Sequence, residues 1–312
     1  STIKIIPLLF IGIFFLRLSG QGLMSHTAAT TIARYFEKTR GKALSVTWLG
    51  LSAAEFILPV LMVYLLTITS WQNIWISISL LVLILLPIAS FTLIKKLKLD
   101  SREDSKDYNQ KINTNIKQWT RSEVLKDYRF YVVILNMLSM PSIATGVFVY
   151  QSFIISSKNW GPFIMAQSFM VYSIMSVITL SLSGYLIDRY TSRKLLIYMN
   201  IPLFIASLTL FLFDSSFSSF VFLGLIGVTN GFANVLGSST WAEIYGVKYI
   251  GGIKALTSGL MVFATATGTA VFGILIDNGY TINSIAIFSA IYIAIIVLLL
   301  FIFRKKIEPI YV

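Results

Sequence analysis

The sequence predicts an all-α polytopic membrane protein, and three observations lead to that fold class. Of its 312 residues, 56% are hydrophobic and 12% are charged, and the mean hydropathy is +0.80. Soluble domains carry about twice that charged fraction. The chain contains many apolar runs of about 18 residues or more, each long enough to cross a bilayer as a helix. Alternating segments of about ten residues, which form membrane β-barrels, do not dominate.

Hydropathy divides the chain into nine expected spans. Tight polar connectors such as Thr69-Ser70 separate some of them, and longer basic connectors separate the others. The expected spans are residues 4–32, 43–68, 72–94, 130–154, 163–187, 195–213, 217–241, 252–276 and 282–303.

The two kinds of connector alternate strictly along the chain. The basic kind holds 22 of the 25 Lys and Arg residues, at 34–42, 95–129, 189–194, 248–254 and 304–306. Cytoplasmic loops of membrane proteins carry an excess of Lys and Arg. The pattern therefore predicts a multi-pass protein of the cytoplasmic membrane, with its N-terminus outside and its C-terminus in the cytoplasm.

The composition also excludes several classes of function. The chain has no Cys and a single His, His26, so neither a thiolate nor a multi-histidine metal site is expected. No cofactor is expected either. The net charge of +12 is explained by the basic connectors, so the expected partner is the lipid bilayer and not nucleic acid. Scattered carboxylates argue against a membrane-embedded enzyme, and the lack of a P-loop pattern argues against an ATP-driven pump. A monomer is the expected state.

The longest connector, residues 95–129, mixes charges of both signs and has few apolar residues. Near its end, Thr120 and Glu123 have the spacing of a capping box. The sequence therefore predicts a short interfacial helix over 124–130 that leads into the fourth span.

A motif between the fifth and sixth spans suggests a family. Gly184 to Lys194 reads G-x-L-x-D-R-x-x-x-R-K, which resembles the signature loop of the major facilitator superfamily of twelve-helix secondary transporters. Gly184 is expected to let two helices approach closely. Asp188 is expected to pair with a cation or to accept from the N-terminal amides of a neighbouring helix. Arg189, Arg193 and Lys194 are expected to hold the loop on the cytoplasmic side.

The resemblance implies a domain organisation. If this loop belongs to the second half of the fold, residues 130–312 form a complete six-helix C-terminal half and residues 95–129 form the cytoplasmic linker. Residues 1–94 then supply three helices of the N-terminal half, so nine of an expected twelve are present and the chain is expected to be incomplete at its N-terminus. A weak internal repeat agrees with two parallel halves, since Gly22 matches Gly231 and Gly50-Leu51 matches Gly259-Leu260.

The first basic connector suggests a branch of the family. Residues 34–43 read R-Y-F-E-K-T-R-G-K-A, in which Arg34, Arg40 and Gly41 resemble the loop after the fourth helix of monocarboxylate and oxalate/formate-type antiporters. Tyr150-Gln151 resembles an aromatic-Gln pair in the seventh helix of the same group.

Ionisable residues inside spans are costly, so each is a candidate for function. Arg17 and Gln21 lie in a stretch similar to the fourth-helix motif of family antiporters, and Glu55 is the one acidic residue deep within an expected span. Counted from the loop that joins their helices, Arg17 and Glu55 differ in depth by about 6 Å. Either Arg17 binds an anionic substrate while Glu55 carries a proton, or the two residues form a structural ion pair.

Uncharged polar residues complete the predicted pathway. Asn230 and Asn234 are four residues apart and share one helical face, where they could bind substrate or join helices. Tyr150, Gln151 and Gln167 carry the same two alternatives. Glu243 is expected near the connector at 248–254, in a gating or structural role.

These patterns together predict a secondary transporter that moves a small solute by alternating access. The expected solute is an organic anion such as a monocarboxylate, with coupling to protons. The alternatives are a carrier of another small solute, such as a sugar or an amphiphile, and a truncated remnant or sensor that does not transport.

Overall fold

The computed structural model describes residues 6–24, 40–96, 116–246 and 248–311. The chain divides into two compact units, Ser1–Asp104 and Ser105–Val312.

The first unit consists of long apolar helices. Helix α1 covers Ile6–Arg17 and continues as a π-helical segment over Leu18–Met24. Helices α2 (Arg40–Ile68) and α3 (Trp71–Lys96) follow. Between them, the Thr69 N–H donates to the Leu65 carbonyl at 2.9 Å, and the Ser70 hydroxyl accepts from the Asn73 N–H at 3.4 Å. The turn between the two spans is therefore only two residues long, as the polar pair Thr69-Ser70 predicts.

The second unit contains nine helices among its described residues. They are α4 (Arg121–Val124), α5 (Tyr128–Val149), α6 (Gln151–Lys158), α7 (Pro162–Tyr190), α8 (Ser192–Met199), α9 (Ile201–Leu212), α10 (Ser216–Tyr245), α11 (Ile250–Asp277) and α12 (Ile282–Phe303).

The fold class predicted from the sequence is confirmed. The described residues contain eight helical segments that are long and apolar enough to cross a membrane, and they coincide with the second to ninth expected spans. The first expected span, 4–32, is described only over 6–24, where a shorter apolar helical stretch covers Pro7–Gly20. The protein is an all-α, multi-pass membrane protein.

Two expected spans are interrupted, which hydropathy did not indicate. The span at 130–154 breaks at Tyr150, between α5 and α6, and the span at 195–213 breaks at Asn200, between α8 and α9. Pro202 stands in the first turn of α9, where a missing N–H is tolerated. The buried side chain of Asn136 donates to the Leu196 carbonyl at 3.2 Å and accepts from Asn200 at 2.9 Å. This pair satisfies backbone that the break leaves open.

Glycines allow close packing between two pairs of helices in the second unit. A Cβ atom at Gly227 of α10 would overlap the Tyr172 carbonyl of α7, and one at Gly231 would stand 2.6 Å from the Ser176 carbonyl. A Cβ atom at Gly268 of α11 would likewise overlap the backbone of Ser142 in α5. At Gly184, where close approach was expected, no described atom of another helix lies within 4 Å of the corresponding position. Small residues thus join α7 to α10 and α5 to α11, as is common between membrane helices.

The connectors of the second unit gather according to their charge. At the weakly charged end, the Lys158 ammonium contacts the Asp214 carboxylate at 2.5 Å and the Phe213 carbonyl at 3.2 Å. The Trp160 indole N–H donates to the Asp214 carbonyl at 2.8 Å. These contacts join the turn after α6 to the turn after α9. The basic connectors meet at the opposite end, which contains the candidate site.

Candidate functional site

Four separate segments meet at one end of the second unit, which we call the basic end. Their described residues are 116–129, 189–194, 243–246 with 248–254, and 304–311. The Trp119 N–H donates to the Tyr245 carbonyl at 3.0 Å, and the Lys117 N–H donates to the Ile310 carbonyl at 2.8 Å. The Gln118 side-chain oxygen accepts from the Lys248 N–H at 2.9 Å. The end of the long connector is thereby fixed both to the end of α10 and to the C-terminal tail.

Glu243, near the end of α10, caps the start of α8. The residue before α8, Thr191, has φ 71° and ψ 147° and makes no side-chain capping bond of its own. The Glu243 carboxylate takes that role, because its Oε2 accepts from the Ser192 N–H at 2.9 Å and also from the Ser192 hydroxyl. A carboxylate at a helix N-terminus is favoured by the unpaired amides and by the helix dipole.

Arg193 connects the same carboxylate to the C-terminal tail. Its Nε lies 2.8 Å from Oε1 of Glu243, and its Nη1 lies 3.6 Å from Oε1 of Glu308. The Arg193 and Glu243 side chains are 19% and 23% exposed, whereas that of Glu308 is 64% exposed. The pair with Glu243 is therefore the stronger one, since solvent screens an exposed pair. We call Ser192, Arg193, Glu243 and Glu308 the basic-end network.

A second arginine holds the backbone of the tail. Asp127 caps the start of α5 by accepting from the Arg129 N–H at 3.0 Å, and its Oδ2 lies 2.7 Å from the Arg129 Nε. The Arg129 guanidinium also donates to the Glu308 carbonyl and lies over the rings of Trp119 and Tyr245. Asp127 and Arg129 are buried, so the pair is shielded from solvent.

The capping box predicted at Thr120 and Glu123 is present. The Glu123 Oε2 accepts from the Thr120 N–H and from the Thr120 hydroxyl, both at 2.8 Å, and Oε1 pairs with Lys117 at 3.1 Å. These hydrogen bonds from Thr120, followed by those from Lys117, lower the pKa of Glu123 to about 2. The prediction of a helix over 124–130 is wrong, however. The short helix covers Arg121–Val124, and Asp127 starts α5 directly after it.

Two cavities lie at opposite ends of the second unit. The first, of about 590 Å³, is at the weakly charged end and is lined by Phe153, Ser157, Lys158, Asn159, Asp214, Ile276, Gly279, Tyr280, Thr281, Ile282 and Asn283. The second, of about 370 Å³, is at the basic end, and we call it the interfacial pocket. It is lined by Trp119, Glu123, Lys126, Asp127, Tyr128, Arg129, Lys306 and Ile310.

The structure places the signature residues in different surroundings. Arg193 belongs to the basic-end network, whereas Arg189 and Lys194 are exposed and the Arg189 guanidinium lies over the Tyr190 ring. The side chain of Asp188 lies outside the described residues. Among the described residues, the carboxylate that accepts from helix N-terminal amides at this loop is that of Glu243.

The predicted pathway residues of the second unit lie on three helices and at one break between helices. Asn230 donates to the Ser176 hydroxyl at 3.0 Å and so joins α10 to α7, while Asn234, one turn further along, is exposed. Tyr150 occupies the break between α5 and α6, with its hydroxyl against Gly273 of α11. Gln151 begins α6, and Gln167 is exposed on α7. The contact of Asn230 is the kind expected of helix adhesion.

The predicted residues of the first unit are described only in part. Glu55 is half-buried in α2, one turn before Pro59. Arg40 and Gly41 begin α2, but the side chain of Arg40 lies outside the described residues, as do those of Arg17 and Gln21. Arg34 and His26 lie wholly outside them. The predicted relation between Arg17 and Glu55 stays a prediction.

Sequence reasoning missed two members of the basic-end network. Glu308 follows the basic tail 304–306 and was not singled out, although an isolated acid beside a basic connector is a usable signal. Ser192 falls within the predicted connector 189–194, and nothing in the sequence shows that it begins a helix capped from α10. Glu243 lies near the connector at 248–254, as expected, and its contact with the loop at 189–194 is an addition that the sequence does not indicate.

Comparison with known proteins supports the family resemblance of the signature loop. The family model described as Major Facilitator Superfamily matches residues 3–226 and, in a second match, residues 156–310. A comparison with curated proteins gives no match. The two family matches together extend over almost the entire chain and include all eight described spans. The chain belongs to the major facilitator superfamily.

Proposed function

We propose that this protein is a secondary transporter that moves a small organic anion, such as a monocarboxylate, across the cytoplasmic membrane by alternating access. Family membership supports the transport of a small solute. The observation that supports an anionic substrate is Arg17, a cation within an expected span. Its guanidinium presents a planar fork of donors that matches a carboxylate. A charge at that depth is retained only where it has a partner, and an anionic substrate supplies one.

Glu55 supports coupling to protons. It is half-buried in α2, within an apolar stretch that continues to Ile68. A carboxylate in such surroundings can be neutral or charged, depending on what lies near it. In the proposed cycle, Glu55 takes up a proton when the substrate anion occupies Arg17 and releases the proton when the site empties.

The basic-end network supports a gating role for the signature loop at 184–194. Arg193 and Glu243 hold the start of α8 to the end of α10, and Glu308 adds the tail after α12. Three spans therefore end on one set of charges, so a displacement of the loop at 189–194 requires these charge contacts to break or to move together. The orientation predicted from the connectors places this end in the cytoplasm.

The test is uptake of a labelled monocarboxylate by liposomes that contain the purified full protein. Loss of a charged hydrogen bond of about 1.5–3 kcal/mol corresponds to about 10–150-fold, so Arg17→Gln should reduce uptake by that factor. Arg17→Lys should retain part of the activity, because the charge remains and the fork is lost. Arg304→Gln removes an exposed cation outside the proposed pathway and should leave uptake unchanged.

The coupling and the alternatives are separated by the same assay. An inward proton gradient should stimulate uptake by the wild type but not by Glu55→Gln. Uptake by Arg17→Gln at the wild-type rate would refute the role of this arginine. Uptake of a sugar with no uptake of any monocarboxylate would favour the other-solute alternative. If the wild type moves neither, a role without transport becomes the better explanation.

A further inference from the structure

The interfacial pocket lies beside the ends of two apolar spans. Tyr128 begins the span of α5 and Phe303 ends the span of α12, and their ring centroids are 5.9 Å apart beside the pocket. Trp119 and Tyr128 line the pocket. Trp and Tyr are concentrated at the boundary between the hydrocarbon and the headgroups. The pocket therefore lies where the apolar length of two spans ends.

The carboxylates of the pocket are already paired. Both oxygens of Asp127 accept from Arg129, and both oxygens of Glu123 are taken by Thr120 and Lys117. These contacts neutralise the acids within the protein. The unpaired charges that line the pocket are therefore those of its lysines.

Lys126 and Lys306 are the two lysines that line the pocket. Both are exposed, and neither forms an ion pair with a carboxylate of the described residues. The Lys306 ammonium lies 5.7 Å from the Phe303 ring centroid, at the membrane boundary. Two cations that come from different segments and face one cavity of about 370 Å³ match the single charge and several oxygens of a phosphodiester.

The surface beside the pocket suits acyl chains. Tyr131 and Leu135 of α5 are 50% and 40% exposed and continue the stripe that begins at Tyr128. On α12, Leu298 and Ile302 are 59% and 63% exposed. A soluble phosphate compound would gain nothing from these stripes, whereas a phospholipid would cover them.

We propose that the interfacial pocket binds the headgroup of an anionic phospholipid, with Lys126 and Lys306 as its cationic contacts. Basic pockets between membrane helices on the cytoplasmic side are suited to such headgroups. Because Lys126 belongs to the long connector and Lys306 to the tail, one bound lipid joins the two segments.

Native mass spectrometry of the purified full protein tests this site, with dioleoyl phosphatidylglycerol and dioleoyl phosphatidylcholine as probes. The wild type should bind the anionic lipid more tightly. A lysine near a charged headgroup contributes about fivefold, so Lys126→Gln with Lys306→Gln should weaken that binding by about 30-fold. The matched control, Lys248→Gln with Lys254→Gln, removes two exposed cations of the same end and should bind within about twofold of the wild type.

A second readout is the thermal unfolding midpoint. Phosphatidylglycerol should raise it for the wild type, for the control and for Lys126→Arg with Lys306→Arg, but not for the double Gln variant. Equal binding of the anionic lipid by the wild type and the double Gln variant would overturn the proposal, as would equal losses in the double variant and the control. Glycerol 1-phosphate that raises the midpoint as much as phosphatidylglycerol at equal concentration would also overturn it, because the ligand would then be a soluble phosphate compound.

Discussion

The contact between Arg193 and Glu243 allows a quantitative test of the basic-end network. We expect Glu243→Gln to destabilise the second unit, because an amide retains one acceptor oxygen where the carboxylate has two. The carboxylate now accepts from the Ser192 N–H at 2.9 Å and from the Ser192 hydroxyl, and it pairs with the Arg193 Nε at 2.8 Å. The single amide oxygen of glutamine can accept from Ser192 or from Arg193 but not from both. Its NH₂ group, which is a donor, then faces the donor group of the other residue.

The expected size follows from burial. Both side chains are less than one quarter exposed, so the pair is not a freely solvated surface pair. A hydrogen bond to a charged group contributes about 1.5–3 kcal/mol, and a carboxylate at a helix N-terminus adds about 0.3–1 kcal/mol. We therefore expect Glu243→Gln to cost about 2–4 kcal/mol.

A double-mutant cycle isolates the pair from its surroundings. The variants are Glu243→Gln, Arg193→Gln and their combination, and the coupling energy should be about 1–2 kcal/mol. Unfolding of the purified full protein is followed by circular dichroism in mixed micelles of increasing dodecyl sulfate content. Hydrogen exchange of the first amides of α8 gives a local readout, and exchange should become faster in both single variants.

The control is Glu308→Gln, because this carboxylate is 64% exposed and lies 3.6 Å from Arg193. Exposed pairs contribute about 0–1 kcal/mol, and the Glu308 carbonyl that Arg129 contacts is unchanged by the substitution. Additive single effects within about 0.5 kcal/mol would show that Arg193 and Glu243 do not act as a pair. A cost for Glu308→Gln equal to that of Glu243→Gln would contradict the argument from burial.

Three further predictions concern other parts of the second unit. Asp214→Asn should cost about 2–3 kcal/mol, because it leaves the Lys158 ammonium buried without its carboxylate. Lys158→Met should cost only about 0–1 kcal/mol, since the 75% exposed Asp214 stays hydrated. Chemical denaturation of both variants would show the asymmetry, and equal costs would contradict it. Thr191→Gly should stabilise the second unit by about 1 kcal/mol, because φ 71° and ψ 147° strain a β-branched residue. The control Asn159→Gly, at φ 54°, should change the stability little, because Asn tolerates this conformation. Unchanged unfolding midpoints for both variants would refute the strain at Thr191. The pKa of Glu123 is lowered from 4.5 to about 2, so its stabilising contribution is complete above pH 4.5 and is lost as the pH falls towards 2. The Glu123→Gln variant should therefore lose less stability than the wild type between pH 5 and 3. Parallel curves of unfolding free energy against pH for the two proteins would contradict this.

The spans could be predicted because each depends on a local property of the chain. Apolar length places a segment in the bilayer, and charge in the connectors places its ends. Within the second unit, the basic connectors do meet at one end and the weakly charged turns at the other. The capping box at Thr120 and Glu123 was also readable, since its two partners are three residues apart.

The breaks within spans could not be predicted in the same way. Asn200 interrupts an apolar run, and hydropathy averages it with its neighbours. What makes the break tolerable is Asn136, a residue 64 positions earlier on another helix. Close packing at Gly227 likewise depends on the backbone of Tyr172 on the neighbouring helix. Gly184 belongs to a recognisable motif, yet no described atom of another helix lies within 4 Å of where its Cβ atom would stand.

The basic-end network shows why the sequence does not predict which side chains pair, even where it predicts which connectors lie at the same end. Helix α10 has 30 residues, which at about 1.5 Å per residue makes it about 15 Å longer than a hydrocarbon core of about 30 Å. Its apolar run ends at residue 241, so hydropathy ends the span there, but the helix continues through Glu243 to Tyr245. The charge that marks the end of the apolar run therefore still lies on a rigid helix. From that position it reaches Ser192 and Arg193, which are about 50 residues away in sequence and recognisable as its partners only in the folded chain.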